Sequence, residues 1–212
     1  MPTSLHVSQK TALQAYNVTL ATLLDATSKI KTNNPTSDRH WANVTAQIEV
    51  IAPNPLDNII KYTGSSFVSV AAKSALLLED DSLLEEELVH YSSLINKLDL
   101  DSLIDCLRQN PSSKKSYYTF WKNNFIGGQT GTIPCAIGFH VVNRDGKLDF
   151  VMNMRANNVN KLLYIDMCIG IALQAYIAKC LLLQPGHYYH QVSSLHIYKS
   201  ELDSIRYYVK NL

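Results

Sequence analysis

A cysteine set directly after a proline, Pro134-Cys135, leads into the alternating run "AIGFHVVN". A thiol attacks as its thiolate, so a nucleophilic cysteine needs a stiff approach and a cation close by. Arg155 closes the next run, "KLDFVMNM". Its guanidinium carries a permanent positive charge. Asp166 opens the apolar run "DMCIGIALQAYIAKCLLL", and His196 and Tyr198 stand two apart in "HIY". Each also has a plain structural reading. A cysteine beside a strand packs into the core, and an arginine after a strand is solvated. An aspartate ahead of an apolar helix caps it, and a histidine and tyrosine two apart share one strand face. Taken singly, none names a chemistry.

The elements that must hold these residues are legible from periodicity. Leu13, Tyr16, Leu20, Leu23 and Leu24 recur at helical spacing within residues 11–30. Residues 44–52 alternate as a strand, and residues 67–79, 82–98 and 102–109 read as helices. "YYTFWKNNF" is open between strand and loop. The runs 136–143 and 147–154 form a hairpin around "RDG". Residues 166–183 are apolar nearly all round, as a buried helix is. A strand over 185–198 and a short closing helix over 200–212 complete the chain. Strands and helices mix without strict βαβ alternation, so the class is α+β or mixed α/β.

A chain of 212 residues suits a single domain over 1–212. The net charge of +1 builds no field that would select nucleic acid or an anionic membrane. The start "MPTSLHVSQKTALQ" lacks a basic-then-apolar leader. The run 167–183 is interrupted by Gln174 and Lys179 and is expected to be too short and too polar for a bilayer span, which takes about 20 apolar residues. The cysteines Cys106, Cys135, Cys168 and Cys180 form no C-x-x-C and no zinc-spaced cluster, so no metal is expected. Cys168 and Cys180 are expected to be buried, and a reducing, cytoplasmic setting follows from this usage.

Order and spacing change the reading of the single residues. The arginine comes twenty residues after the cysteine, the acid eleven further on, and "HIY" thirty beyond that. With "DGKLDFVMNMRANNV" and "LQPGHYYHQVSSLHIYKSELD", this set resembles the thymidylate synthase family. "NPSSKK" is similar to the family's loop of paired arginines, and "TSDR" to its early phosphate-binding loop.

The resemblance implies a mixed sheet flanked by helices and a homodimer packed sheet to sheet with shared active sites. It implies that Cys135 adds to carbon 6 of a pyrimidine nucleoside monophosphate. Carbon 5 then takes a one-carbon unit from 5,10-methylenetetrahydrofolate. Arg39, Lys114, Lys115 and Arg155 match the phosphate ligands, with Lys114 and Lys115 reaching the partner's site. His196 and Tyr198 match the pair that holds the sugar. Asp166 stands where members acting on uracil carry asparagine. An ionised carboxylate only accepts hydrogen bonds, which suits the exocyclic amine of cytosine. Members acting on cytidylate are similar here, which implies hydroxymethylation of CMP or dCMP.

The departures fall on the folate side. Lys73 takes the place of a glutamate on an early helix, with Glu79 the nearest acid. The family's folate-contacting aspartate is Asn158, a close-approach glycine is Leu162, its serine after Arg155 is Ala156, and the residue after the nucleophile is Ala136. No counterpart of the family's C-terminal tail is read up to Leu212, and the open site this implies favours water as the final nucleophile. Three readings stand side by side: a folate-dependent transferase, a folate-independent enzyme using the same cysteine addition, and a non-catalytic nucleotide-binding homologue.

Overall fold

The computed structural model describes residues 4–28, 40–54, 94–121 and 133–212. In chain order these form β1 (Ser4–Gln9), α1 (Ala12–Ser28), β2 (His40–Val50), α2 (Lys97–Gln109), β3 (Tyr117–Thr119), β4 (Ala136–Arg144), β5 (Lys147–Met154) and β6 (Asn157–Asn158). A π turn (Val159–Leu163) then runs into α3 (Tyr164–Cys180), followed by β7 (Gln184–Tyr198), a 3-10 turn (Lys199–Glu201) and α4 (Leu202–Lys210). The strands lie in one mixed sheet of order β1-β2-β7-β5-β4-β3, with β6 beside β7. β7 is antiparallel to β2 and parallel to β5, and β6 pairs with it at Asn157↔Leu195 and Asn158↔His196. This is the expected mixed sheet flanked by helices.

The hairpin forms where the sequence places it. Asp145 and Gly146 both take positive φ, 51° and 83°, the two-residue turn whose twist matches the flanking strands. On the inner face a row of rings crosses four strands. Tyr118 stacks on Phe139 at 5.1 Å, Phe139 on Phe150 at 4.7 Å, and Phe150 on Tyr188 at 5.8 Å. Phe139, Phe150 and Tyr188 have no exposed surface, and each such side chain stabilises the fold by roughly 1.5–3 kcal/mol. α3 lies across β5 and β7 on this face and also meets α1, which explains its all-round apolar sequence. Gly170 permits the closest approach: a Cβ there would sit 2.5 Å from the Tyr188 hydroxyl.

Several elements differ from the sequence reading. The stretch Val159–Cys180 is long and apolar enough to cross a membrane, contrary to the expectation, because the π turn and α3 are continuous; 72% of it is buried inside the fold. α3 begins at Tyr164, before Asp166. β2 starts at His40, ahead of the expected 44, and β1 joins it as a parallel strand the sequence reading lacks. The ambiguous "YYT" is strand β3. α2 is longer than expected because Asn96 caps it, its Oδ1 accepting from Leu98 N at 2.9 Å. The helix expected over 67–79, and all but the end of the one over 82–98, lie outside the described residues.

Candidate active site

Cys135 sits just before β4, where three successive carbonyls are held. Arg155 Nη2 donates to Ile133 O at 2.8 Å and Arg155 Nε to Pro134 O at 3.2 Å. The Arg155 backbone N–H donates to Cys135 O at 2.8 Å, and Trp121 Nε1 also donates to Pro134 O, at 3.2 Å. The stiff approach expected of a nucleophile is therefore built from Arg155 as well as from Pro134. The arginine uses two of its five donors in this clamp, and its side chain is otherwise exposed.

The thiol is half-buried. Burial pushes its pKa up, the Arg155 charge pulls it down, and the Asp166 carboxylate pushes it up again. The expected cation is present, but desolvation outweighs it, so the net shift opposes the sequence expectation of a lowered thiol pKa. The mutual influence of Cys135 and Asp166 brings the proposed nucleophile and the proposed base-reading group into one neighbourhood.

Asp166 is buried at 5% exposure. It does not cap its helix, as its structural reading would have it. Asn158 takes the cap position ahead of the π turn, its Oδ1 accepting from Lys161 N at 2.7 Å, and α3 continues from that turn. Asp166 instead receives a hydrogen bond on Oδ2 from Asn157 Nδ2 at 2.9 Å. The same amide nitrogen lies 3.1 Å from His190 Nε2, and His190 Nδ1 lies 2.8 Å from the Tyr188 hydroxyl. Burial drives His190 down to about 3, so the ring is neutral. With Asn157 donating to Nε2, the ring proton is on Nδ1 and is donated to Tyr188. Burial also raises the Tyr188 phenol, with Asp166 and Cys168 adding to the effect. Cys168 is buried as expected, its thiol pushed up to about 12 chiefly by burial. Cys180 is only half-buried because it ends the last turn of α3.

His196 and Tyr198 lie at the far end of β7. His196 Nδ1 donates to Ser194 O at 3.2 Å, and the two rings meet edge to face at 5.2 Å. Glu201, buried, accepts from Tyr198 N at 3.0 Å and from Asn158 Nδ2 at 2.9 Å on one oxygen. The chain at "HIY" is thus fastened to β6, the strand that leads to Asp166.

Lys114 and Lys115 are exposed in the loop before β3. Ser116 O accepts from Val141 N, which places these lysines on the order of 20 Å along β4 from Cys135 of the same chain at about 3.3 Å per residue. Arg39, Lys73 and Glu79 lie outside the described residues. Of the folate-side positions, Asn158 has its amide oxygen and nitrogen both occupied within the fold, and Leu162 holds a half-buried side chain where a glycine would leave space. These residues do not fit a folate as the resemblance would place it. Among the described residues no group of His, Cys, Asp or Glu could hold a metal. A groove of about 310 Å³ involves the outer-face residues Gln47, Asn153, Gln191 and Ser193, and none of the expected site residues lines it.

Sequence reasoning missed Asn157, His190 and Tyr188. The available signal was His190 itself, a histidine on the same strand phase as Tyr188 and Val192 in an otherwise apolar row.

The family model for thymidylate synthase matches residues 85–211. Thymidylate synthase 1/2 of Encephalitozoon cuniculi is 28% identical over 105 residues, 50% of this chain and 35% of that protein. Thymidylate synthase of Clostridium beijerinckii is 23% identical over 130 residues, 60% of this chain and 49% of that protein. Thymidylate synthase of Bacillus licheniformis is 27% identical over 119 residues, covering 52% and 39%. The matched part of the chain spans between about a third and a half of the length of these relatives.

Proposed function

The chain belongs to the thymidylate synthase family, and from that premise we propose that it is a transferase acting at carbon 5 of a pyrimidine nucleotide, with CMP or dCMP as substrate and hydroxymethylation as the reaction. The observation that carries the base assignment is Asp166, a buried carboxylate hydrogen-bonded on Oδ2 by Asn157 and close enough to shift the Cys135 thiol. A carboxylate accepts the exocyclic N–H of cytosine; it has no proton to offer the uracil carbonyl at the same place.

The residues of this chain account for the first half of the reaction. Cys135 Sγ, as thiolate, forms a bond to carbon 6, and the ring π pair moves to carbon 5, which becomes the nucleophile. Arg155 supports the thiolate and presents its outward donors to phosphate, while Asp166 holds the amino edge. His196 and Tyr198 form the sugar end, and Arg39, Lys114 and Lys115 add phosphate charge, the two lysines from the partner of a homodimer. That dimer forms through the outer sheet face, and light scattering on the purified chain tests it: a monomer at all concentrations removes the shared site. Methylenetetrahydrofolate would supply the one-carbon unit. Because Asn158 and Leu162 do not fit it, the steps assigned here end at the activated carbon 5.

The occupied amide of Asn158 favours a second reading, in which Cys135 adds to the ring without folate. Release of tritium from carbon 5 of labelled dCMP separates the two. Release that requires methylenetetrahydrofolate, with a product heavier by a hydroxymethyl group, supports the transferase. Release without folate and without a heavier product supports the second reading. Wild type that releases nothing, or a Cys135→Ser variant that matches it, removes the cysteine from both.

A further inference from the structure

We propose that Asn157, held by His190, is a positioning residue that decides which edge of residue 166 faces the base, so that the choice between cytosine and uracil is made by this buried pair together with Asp166. The proposal rests on the reading of Asp166 as the base-reading group.

Asn157 is 1% exposed and His190 fully buried, so neither is placed to touch a nucleotide directly. The Asn157 amide nitrogen has two hydrogens and two neighbours, Asp166 Oδ2 at 2.9 Å and His190 Nε2 at 3.1 Å. Its Oδ1 is buried and has no hydrogen-bond partner among the described residues, which is costly. Turning the amide over would bring that oxygen against the carboxylate and against the imidazole lone pair, which is worse. The ring cannot relieve the conflict easily. Its Nδ1 proton is committed to the Tyr188 hydroxyl at 2.8 Å, and Tyr188 is locked between Phe150 and Gly170.

The consequence reaches the base through atom identity. Asn157 always presents a donor, so whichever atom of residue 166 it meets must be an oxygen. With aspartate, the atom left on the other side is the second oxygen, an acceptor. With asparagine at the same place, the pinned atom is again oxygen and the other is the amide nitrogen, a donor. The pair thereby turns a one-atom difference into opposite hydrogen-bond polarity. Without Asn157, an asparagine could present either edge, and an aspartate would lose the contact that fixes its plane.

The test is calorimetric binding of dCMP and dUMP to the full chain, which reads preference without requiring turnover. Wild type should prefer dCMP, and Asp166→Asn should prefer dUMP. In an Asn157→Leu background the reversal on adding Asp166→Asn should shrink by about tenfold, the worth of a hydrogen bond to a charged group. His190→Phe should weaken the preference, and His190→Gln, whose amide oxygen can accept from Asn157, should restore it. Equal reversal with and without Asn157 overturns the proposal. If Asn157→Leu does not fold, equal dCMP preference in His190→Phe and His190→Gln overturns it. A purely structural role would lower the melting temperature and leave the ratio in place. If Asp166→Asn leaves the preference of the otherwise wild-type chain unchanged, the base-reading assignment itself fails, which is a separate result.

Discussion

Asn157 and Asn158 are adjacent, both buried, and held in the same short strand, yet they are bonded quite differently. Strand alternation sends their side chains to opposite sides. Asn158 uses both ends of its amide inside the fold, one on the Lys161 N–H and one on Glu201. Among the described residues Asn157 uses only its nitrogen, on Asp166 and His190, and its buried oxygen has no hydrogen-bond partner there. The first arrangement is that of a structural fastener. The second leaves a buried polar atom uncompensated, as the proposed positioning role of Asn157 would require.

The sharpest way to break that contrast is Asn158→Leu. It removes the cap of the π turn and a hydrogen bond to the buried Glu201 carboxylate, and about 3 kcal/mol of stability should go with them. The melting temperature should fall by roughly 6–12 °C while the dCMP to dUMP ratio stays put. A changed ratio would erase the distinction between the two asparagines.

Acid is a milder probe and acts on the Asn157 side. His190 titrates at about 3 when folded, against 6.5 as a free side chain. Between those values the unfolded chain binds the extra proton, so the histidine's contribution to stability is intact above pH 6.5 and is lost as pH falls toward 3. Among the described residues Asn157 and Tyr188 hydrogen-bond the ring, and Asp166 bonds to the same Asn157 nitrogen. From pH 6.5 to 5 this histidine should cost about 2 kcal/mol in chemical denaturation, and His190→Gln should remove that part of the slope. An unchanged slope would mean that the ring is already charged in the fold.

These neighbours were out of reach of the sequence because they meet only once the sheet has formed. Asn157 reaches His190 although its register partner on β7 is Leu195 and that of His190 on β5 is Met152, and nothing in a spacing of thirty-three residues announces the contact. The hairpin, by contrast, was legible almost to the residue, since alternation and turn chemistry are local. β1 was not, because only Val7 of its six residues is buried. Asp166 stands out in the sequence by type and position, but its hydrogen-bond partner does not, and the cap its position suggested belongs to Asn158.

The smallest expected effect concerns Cys135. Its thiol feels Arg155 and Asp166 in opposite directions. At pH 8, alkylation by iodoacetamide, followed by mass spectrometry of the Cys135 peptide, should slow severalfold in Arg155→Ala and quicken severalfold in Asp166→Asn. Arg155→Lys separates charge from the carbonyl clamp: a rate near wild type would assign the effect to charge. Changes of the same sign in Arg155→Ala and Asp166→Asn would separate Cys135 from Asp166 and leave the two asparagines serving different places altogether.

The wide turn from Val159 to Leu163 carries a reading frame of its own. A π turn is an α-helical turn with one residue too many. Excising one residue there would let the helix close to ordinary pitch, and because the turn already holds the surplus residue, everything after it would keep nearly its present direction relative to β6. Asp166 would then stay beside the amide of Asn157 while α3 kept its apolar composition. A single-codon deletion in this stretch is the one the fold absorbs best, whereas the same deletion in a regular turn of α3 would rotate the rest of the helix by about 100°.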